Sequence, residues 1–377
     1  MKIVADDKIP FLKGALEPNA EIIYVPGKQI DHEILKDADA LLIRTRTICN
    51  EKLLKGTKVR FIGTATIGFD HIDTQYCNKK KIFWTNAPGC NSSSVHQYIA
   101  AALLKISSVT NISLKDKTLG IIGVGNVGSK VEKFARAIGM NVLLNDPPRA
   151  RLEGKKNFQQ FNEVISRSDI LTVHVPLNLT GEDYTYHLFN DDNLRKMRKG
   201  AWFINSSRGE VADTHALKIA IKTGNFGGVI LDVWENEPDI DHELMNLTLI
   251  ATPHIAGYST DGKANGTSMV VNSLRRFFNL PEMDWYPGKV PVPDYPCILI
   301  DCNGKSDDEI LNEAVEHTYK IDEDNTRLRN SPSDFEKLRG DYPLRREFTS
   351  YSVDLKGATE EVKHMLKIIG FKVKAEI

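Results

Sequence analysis

The chain has 377 residues, 41% of them hydrophobic, with 49 basic and 50 acidic residues and a formal net charge of -1. At about 150 residues per domain, that length supports two or three domains with sizeable cores. So even a balance of charge excludes a general field for nucleic acid or an anionic membrane, and any anionic ligand has to be held locally.

From Lys2 to about Asn86, five short apolar runs, KIVAD, EIIYVP, ALLIRT, RFIGTA and KIFWTN, alternate with polar stretches of helical pattern. This predicts parallel α/β structure. After the turn PGCN, the stretch from Ser92 to Ser108 places Val95, Ile99, Ala102, Leu103 and Ile106 at helical spacing behind a serine-rich start, which predicts a long helix. A buried strand then runs into Gly123-x-Gly125-x-x-Gly128, a helix follows with Val131, Phe134, Ala135 and Ile138, and a second strand ends at Asp146. Strand, helix, second strand and acid together make a βαβ dinucleotide-binding unit. The first glycine permits the tight turn, the second lets backbone approach a pyrophosphate, and the third lets helix and strand pack closely. Around Asn126 and Val127 the helix start offers N–H groups and the positive end of its dipole. Asp146, 18 residues after Gly128, accepts from a ribose diol and repels a 2′-phosphate, so NAD is expected over NADP even though Arg149 and Arg151 follow closely.

Four further strand signals come next, in DILTVHVP, AWFINS, GVILDVW and LTLIATP. The apolar runs Ala201 to Asn205, Gly228 to Val233 and Leu247 to Thr252 are followed closely by Arg208 in NSSRGE, Glu237 in ENEP and His254 in TPHIAG. Open α/β sheets bind ligands at the carboxyl ends of their strands, so the location matters. Taken singly, a histidine is more often a satisfied structural residue than a base, and His174 in LTVHVP reads that way. As a set, an imidazole can accept a hydroxyl proton, a carboxylate can hold its far nitrogen, and a guanidinium can polarise the remaining oxygen. Those are the parts needed to take a hydride off an alcohol.

Past Ile255 the pattern turns helical through MVVNSLRRFF, and PEMDWYPGKVPVPDYP reads as a linker or extended crossing. The remainder mixes strand-like CILID, FTSYSVDL and FKVKAEI with helix-like DEILNEAVEHTYKI and ATEEVKHMLKIIG, an α+β pattern. Cys49, Cys77, Cys90, Cys297 and Cys302 are scattered and odd in number, which suits a reducing compartment and offers no disulfide or zinc framework. MKIVADDKIP lacks the layout of a signal peptide and no run approaches the ~20 apolar residues of a membrane span, so a soluble cytoplasmic protein with no membrane partner is expected.

GVGNVG, NSSRGE, ENEP and TPHIAG, in this order, resemble the D-2-hydroxyacid dehydrogenase family over roughly residues 1 to 285. Further on, FEKLRGDYPLRREF resembles a carboxyl-terminal dimerisation module from one branch of that family. The resemblance implies a Rossmann-type dinucleotide-binding domain at 96–255, a flavodoxin-like substrate domain at 1–95 and 256–285, and a small C-terminal α+β dimerisation domain at 286–377 of a homodimer. It further implies NAD as cofactor, a small phosphorylated hydroxy acid as substrate, and Arg208, Glu237 and His254 as the catalytic set. Val175, Ser206, Asp232 and Gly257 would line the NAD site beside the glycine motif, while Thr45, Thr66 and Tyr258 would meet the substrate. Arg44 and Arg46 in RTRT are candidates for the phosphate, and the adjacent Arg345 and Arg346 are a second source, either reaching a partner's cleft or pairing with Glu347 or Asp341 in solvent. Two positions depart from the pattern: Gln97 stands where relatives usually carry an acid, and Arg46 is an extra cation. A dehydrogenase of another phosphorylated acid such as 3-phosphoglycerate would share the catalytic set. NAD-sensing corepressors share the fold.

Overall fold

The computed structural model describes residues 1–281 and 284–374. Glu282 and Met283 of the proline-rich stretch, and the last three residues of FKVKAEI, lie outside the described residues. Contacts divide the chain into two compact units, Met1–Asn91 with Ser259–Pro291, and Ser92–Tyr258 with Val292–Ile377. No helix among the described residues is long and apolar enough to cross a membrane.

In the first unit, β1 (Lys2–Asp6), β2 (Glu21–Val25), β3 (Ala40–Ile43), β4 (Phe61–Thr64) and β5 (Phe83–Thr85) form a parallel sheet in the order β2-β1-β3-β4-β5. Each of the five apolar runs has become one strand, and the order is the flavodoxin-like one. β3 and β4 are buried along their whole length, as expected for central strands covered on both faces. The helix Thr260–Phe277 starts where the Ser259 side chain accepts the Gly262 N–H. It lies so close to β4 that a Cβ on Gly63 would fall 2.4 Å from Val270 Cγ1.

The second unit holds β6 (Thr118–Ile122), β7 (Asn141–Asn145), β8 (Ile170–Val173), β9 (Ala201–Asn205), β10 (Phe226–Leu231) and β11 (Ile250–Ala251), parallel in the order β11-β10-β9-β8-β6-β7. β6 sits between β7 and β8, so the winding reverses there and opens a crevice at the carboxyl ends of the strands. The glycine motif leaves β6 at that point. β11 is shorter than the run from Leu247 to Thr252 suggested, because Leu247 closes the helix His242–Leu247, capped by Asp241.

The helix Ser92–Thr110 is buried nearly all round, from Ser94 through Leu104, as a helix packed on several sides must be. Part of its cover is the C-terminal stretch, where β12 (Cys297–Asp301), β13 (Ser352–Lys356) and β14 (Lys372–Val373) form a three-stranded sheet. All three strands are parallel, in place of the segregated strands and helices that an α+β pattern suggests. Parallel neighbours need crossovers, and the helices Asp307–Thr318 and Glu360–Ile369 lie in that intervening chain. Leu103 and Ile106 share one apolar core with Leu311, Val315, Leu366 and Phe371.

Candidate active site

Arg208, Glu237 and His254 all belong to the second unit, each a few residues past β9, β10 and β11. Gly209 brings two of their loops together. A Cβ there would lie 2.0 Å from the Trp234 carbonyl, so the turn carrying Arg208 packs directly on the backbone leading to Glu237. Arg208 donates from Nη1 to the Ser207 carbonyl at 2.8 Å, and its own carbonyl accepts from Asn205 Nδ2 at 2.9 Å.

Glu237 Oε2 lies 2.8 Å from His254 Nδ1, and Glu237 Oε1 accepts the Trp234 N–H at 3.0 Å. Burial pushes the Glu237 carboxyl up, but His254, the Trp234 N–H and the Arg339 charge together hold it below the ordinary range. With that carboxylate as acceptor, the ring proton sits on Nδ1 and Nε2 carries the free lone pair. His254 has φ +55°, uncommon for a residue other than glycine, and such strain persists only where the surroundings enforce it.

Asp232 does the enforcing. Its buried carboxylate accepts the Ile255 N–H at 2.8 Å and the Thr252 hydroxyl at 2.7 Å on Oδ1, and the Ala256 N–H at 2.9 Å on Oδ2. Its carbonyl accepts the His254 N–H at 2.7 Å. Tyr98 OH, on the long buried helix, reaches Thr252 Oγ1 at 2.9 Å, and Trp234 Nε1 donates to the Thr252 carbonyl at 2.9 Å. Every residue from Thr252 to Ala256 except Pro253 is therefore tied into this network. His174 is half-buried, its Nε2 3.0 Å from Thr172 Oγ1, and desolvation drives its pKa down to about 3, which favours the neutral ring.

The βαβ loop was tested for its fit to a dinucleotide. Gly123 has φ +89°, with its Cβ position 2.5 Å from the His174 carbonyl oxygen, while the Cβ position of Gly128 falls 2.1 Å from the Gly123 carbonyl oxygen. Both are close approaches that only glycine allows. Gly125 faces open space and Asn126 is exposed beside it. No side chain caps the helix Gly128–Ala137 that Val127 precedes, which leaves its dipole end available to an anion. Ser206 Oγ is buried with no hydrogen-bond partner among the described residues, as expected of a hydroxyl meant for a ligand. Val175 is half-buried against the Gly123 turn, and the Gly257 carbonyl accepts from Ser94 Oγ at 3.3 Å. Asp146 accepts the Val124 and Arg149 N–H groups at 2.8 and 2.9 Å, one on each carboxylate oxygen, and each oxygen keeps a lone pair. The two arginines beside it are committed elsewhere, Arg149 to Glu153 at 2.7 Å and Arg151 to Glu182 and Asp183. These residues fit NAD.

In the first unit, Arg44 to Arg46 follow β3 and Thr66 follows β4, neighbouring strands with Ile43 paired to Thr64. Thr66 Oγ1 lies 2.7 Å from Thr64 Oγ1, which is 3.1 Å from His71 Nε2. Arg44 donates to the Lys8 carbonyl at 3.3 Å, and Thr45 is exposed. In the second unit Tyr258 packs edge-on against Tyr342 at 5.8 Å.

Arg345 is the correction. It neither pairs in solvent with Glu347 or Asp341 nor projects toward a partner; it is buried, donates to the Ala256 and Ser94 carbonyls, and stacks 4.5 Å from the Tyr319 ring. An aromatic-lined pocket with two carbonyls is the better home for a weakly hydrated guanidinium. Arg346 is half-buried, its carbonyl accepting from Gln97 Nε2 at 3.0 Å. The tail residue that sequence reasoning passed over is Arg339, whose guanidinium lies 5.8 Å from the Tyr258 ring. Its signal was only one more arginine in LRGDYP.

The dinucleotide crevice and the Arg208, Glu237 and His254 set define an NAD-dependent 2-hydroxyacid dehydrogenase. The family of D-isomer specific 2-hydroxyacid dehydrogenases, NAD binding domain, matches residues 93–256, and a domain family of unknown function matches 291–370. The chain is 51% identical over 354 residues to erythronate-4-phosphate dehydrogenase of Bacteroides thetaiotaomicron, covering 94% of this chain and 99% of the relative. It is 41% identical over 374 residues to that of Proteus mirabilis, covering 98% and 99%. The protein belongs to the erythronate-4-phosphate dehydrogenase family. Among solved structures it resembles D-lactate dehydrogenase from Aquifex aeolicus complexed with NAD and lactic acid, at TM-score 0.61 and 28% identity, over 74% of this chain and 96% of that one. The NAD+-bound 3-phosphoglycerate dehydrogenase of Entamoeba histolytica matches at TM-score 0.62 and 25% identity, over 77% and 99%.

Proposed function

We propose that the protein oxidises 4-phospho-D-erythronate to 2-oxo-3-hydroxy-4-phosphobutanoate with NAD, the step named for its relatives and one that serves pyridoxal 5′-phosphate synthesis. The His254–Glu237 pair beside Arg208 carries this reading. Bound NAD supplies the hydride acceptor for C2. His254 Nε2 takes the hydroxyl proton as the hydride leaves, and Glu237 offsets the imidazolium charge that forms. Arg208 pairs with the carboxylate and with the oxygen that becomes a carbonyl. Gly123, Gly125, Asn126, Val127 and Gly128 receive the pyrophosphate and Asp146 the ribose, with Val175, Ser206, Asp232 and Gly257 toward the nicotinamide. Thr45, Thr66 and Tyr258 contact the substrate, and Arg44, Arg46 and Arg346 add positive charge for its two anionic ends.

A homodimer in the cytoplasm is part of the proposal. Its support is an apolar surface on the C-terminal sheet, where Leu299 on edge strand β12 is 72% exposed and Val292 and Tyr295 lie just before it. The free cysteines suit a reducing compartment. The test is NADH formation by the purified protein on 4-phospho-D-erythronate and on 3-phosphoglycerate. A higher kcat/KM on the first acid is expected; preference for the second would replace the substrate assignment.

A further inference from the structure

Arg339 lies on the short helix Phe335–Gly340. Its Cζ is 5.8 Å from the Tyr258 ring and 5.9 Å from the Phe335 ring. Nη1 donates to Glu336 Oε1 at 3.0 Å, while Nε is buried with no hydrogen-bond partner among the described residues, as is the Nε of Arg345. The side chain is only 22% exposed. A guanidinium N–H taken out of water without an acceptor is costly, and a bound oxyanion at the open side of the group is one way to supply the missing oxygen.

The surroundings narrow the ligand. Tyr258 is four residues past His254 in the loop that Asp232 organises, so the Arg339 cation sits beside the catalytic loop. Glu237 and Asp232 are close enough to act on its charge, but both carboxylates are committed, to His254 and to the loop amides. Arg345 shares the orphaned Nε, but its Nη2 is spent on the Ser94 and Ala256 carbonyls and the residue is only 4% exposed, too enclosed for a ligand to reach. What remains is a planar cation stacked on an aromatic ring, with an unsatisfied N–H, in a site that already has Arg208 for a carboxylate. Planar donors of this kind match phosphate oxygens in pairs.

We propose that Arg339 recognises the phosphate of the substrate, with Tyr258 as the platform that holds its guanidinium, so that the C-terminal region sets specificity as well as structure. This rests on the substrate reading above. The test compares wild type, Arg339→Gln and Arg339→Lys on 4-phospho-D-erythronate and on unphosphorylated D-erythronate, and measures inorganic phosphate binding to each NAD-loaded protein by calorimetry. Loss of a charge-assisted pair should raise KM for the phosphorylated acid at least about tenfold and weaken phosphate binding by a similar factor, with a several-fold smaller loss of kcat/KM on D-erythronate and Lys recovering part of the loss. An equal loss on both acids, with Arg339→Lys no better than Arg339→Gln, would reassign Arg339 to positioning Glu237 and overturn the proposal, as would unchanged phosphate binding. If the wild type ignores the phosphorylated acid, the substrate reading fails, while the phosphate calorimetry still decides the role of Arg339.

Discussion

Glu237 holds His254 from the side away from its free nitrogen, Oε2 to Nδ1 at 2.8 Å, while its other oxygen is held by the Trp234 N–H. The carboxylate is thus oriented before any substrate arrives. His254→Asn should lower kcat by about 10²- to 10⁴-fold, the usual cost of a lost general base, with NAD affinity nearly unchanged in a fluorescence titration. Glu237→Gln removes the charge that offsets the imidazolium formed during the step, so kcat should fall in steady-state assays. Since the Glu237 pKa lies below its unfolded value of about 4.3, this carboxylate stabilises the fold above that pH. Its contribution disappears as pH falls through the lowered value. Acid titrations followed by circular dichroism should therefore show wild type losing its advantage over Glu237→Gln below about pH 4.

Gly209→Ala should be far more damaging than its one methyl group suggests. The new Cβ would collide with the Trp234 carbonyl, which is backbone and cannot swing aside. Displacing the turn moves Arg208 away from Glu237, and misplacement of about 1 Å can cost about 10²-fold in rate. Steady-state kinetics together with a melting curve would check it; a variant with wild-type kcat/KM would mean that the turn is not what sets Arg208.

Asp232→Asn tests the loop network. An amide cannot accept at both ends, so its NH₂ would face either the Ala256 N–H or the Ile255 N–H and Thr252 hydroxyl. The expected loss is about 1–3 kcal/mol in denaturant unfolding, with activity falling more than that loss of folded protein explains.

Asp146→Ala should raise KM for NAD and narrow the preference over NADP. Glu153→Gln offers a subtler probe, because it weakens the hold on Arg149 through Nε and Nη2 and lets a cation answer a 2′-phosphate. The NAD/NADP ratio of kcat/KM should fall in both variants.

Leu299→Lys places a charge on the exposed edge strand β12. If that strand lies in a homodimer interface, sedimentation velocity should record monomer where wild type gives dimer. A variant that remains dimeric moves the interface elsewhere.

Much of the architecture could be read from residues alone, because buried parallel strands appear as continuous apolar runs and the glycine motif is tied to a fixed backbone shape. The placement of the candidate set was also legible, since Arg208, Glu237 and His254 each follow a strand of one sheet. What stayed hidden depends on backbone partners. Arg345 and Arg346 look alike as letters, yet Arg345 is buried because two carbonyls and the Tyr319 ring meet it, and carbonyls leave no trace in a sequence. The parallel course of the C-terminal strands was hidden too, since their pairing joins segments as distant as Cys297 and Ser352.

The bond from Arg345 to the Ala256 carbonyl spans 89 positions of chain. On the ribosome, at about 5–20 residues per second, the loop with His254 emerges several seconds before the arginine that braces it. Until then the Ser94 and Ala256 carbonyls lack the guanidinium that they accept from in the full chain. The enzyme should therefore gain activity late and abruptly during synthesis, and a nascent chain stalled before residue 345 would carry every residue of the hydride-transfer set and still fail to turn over.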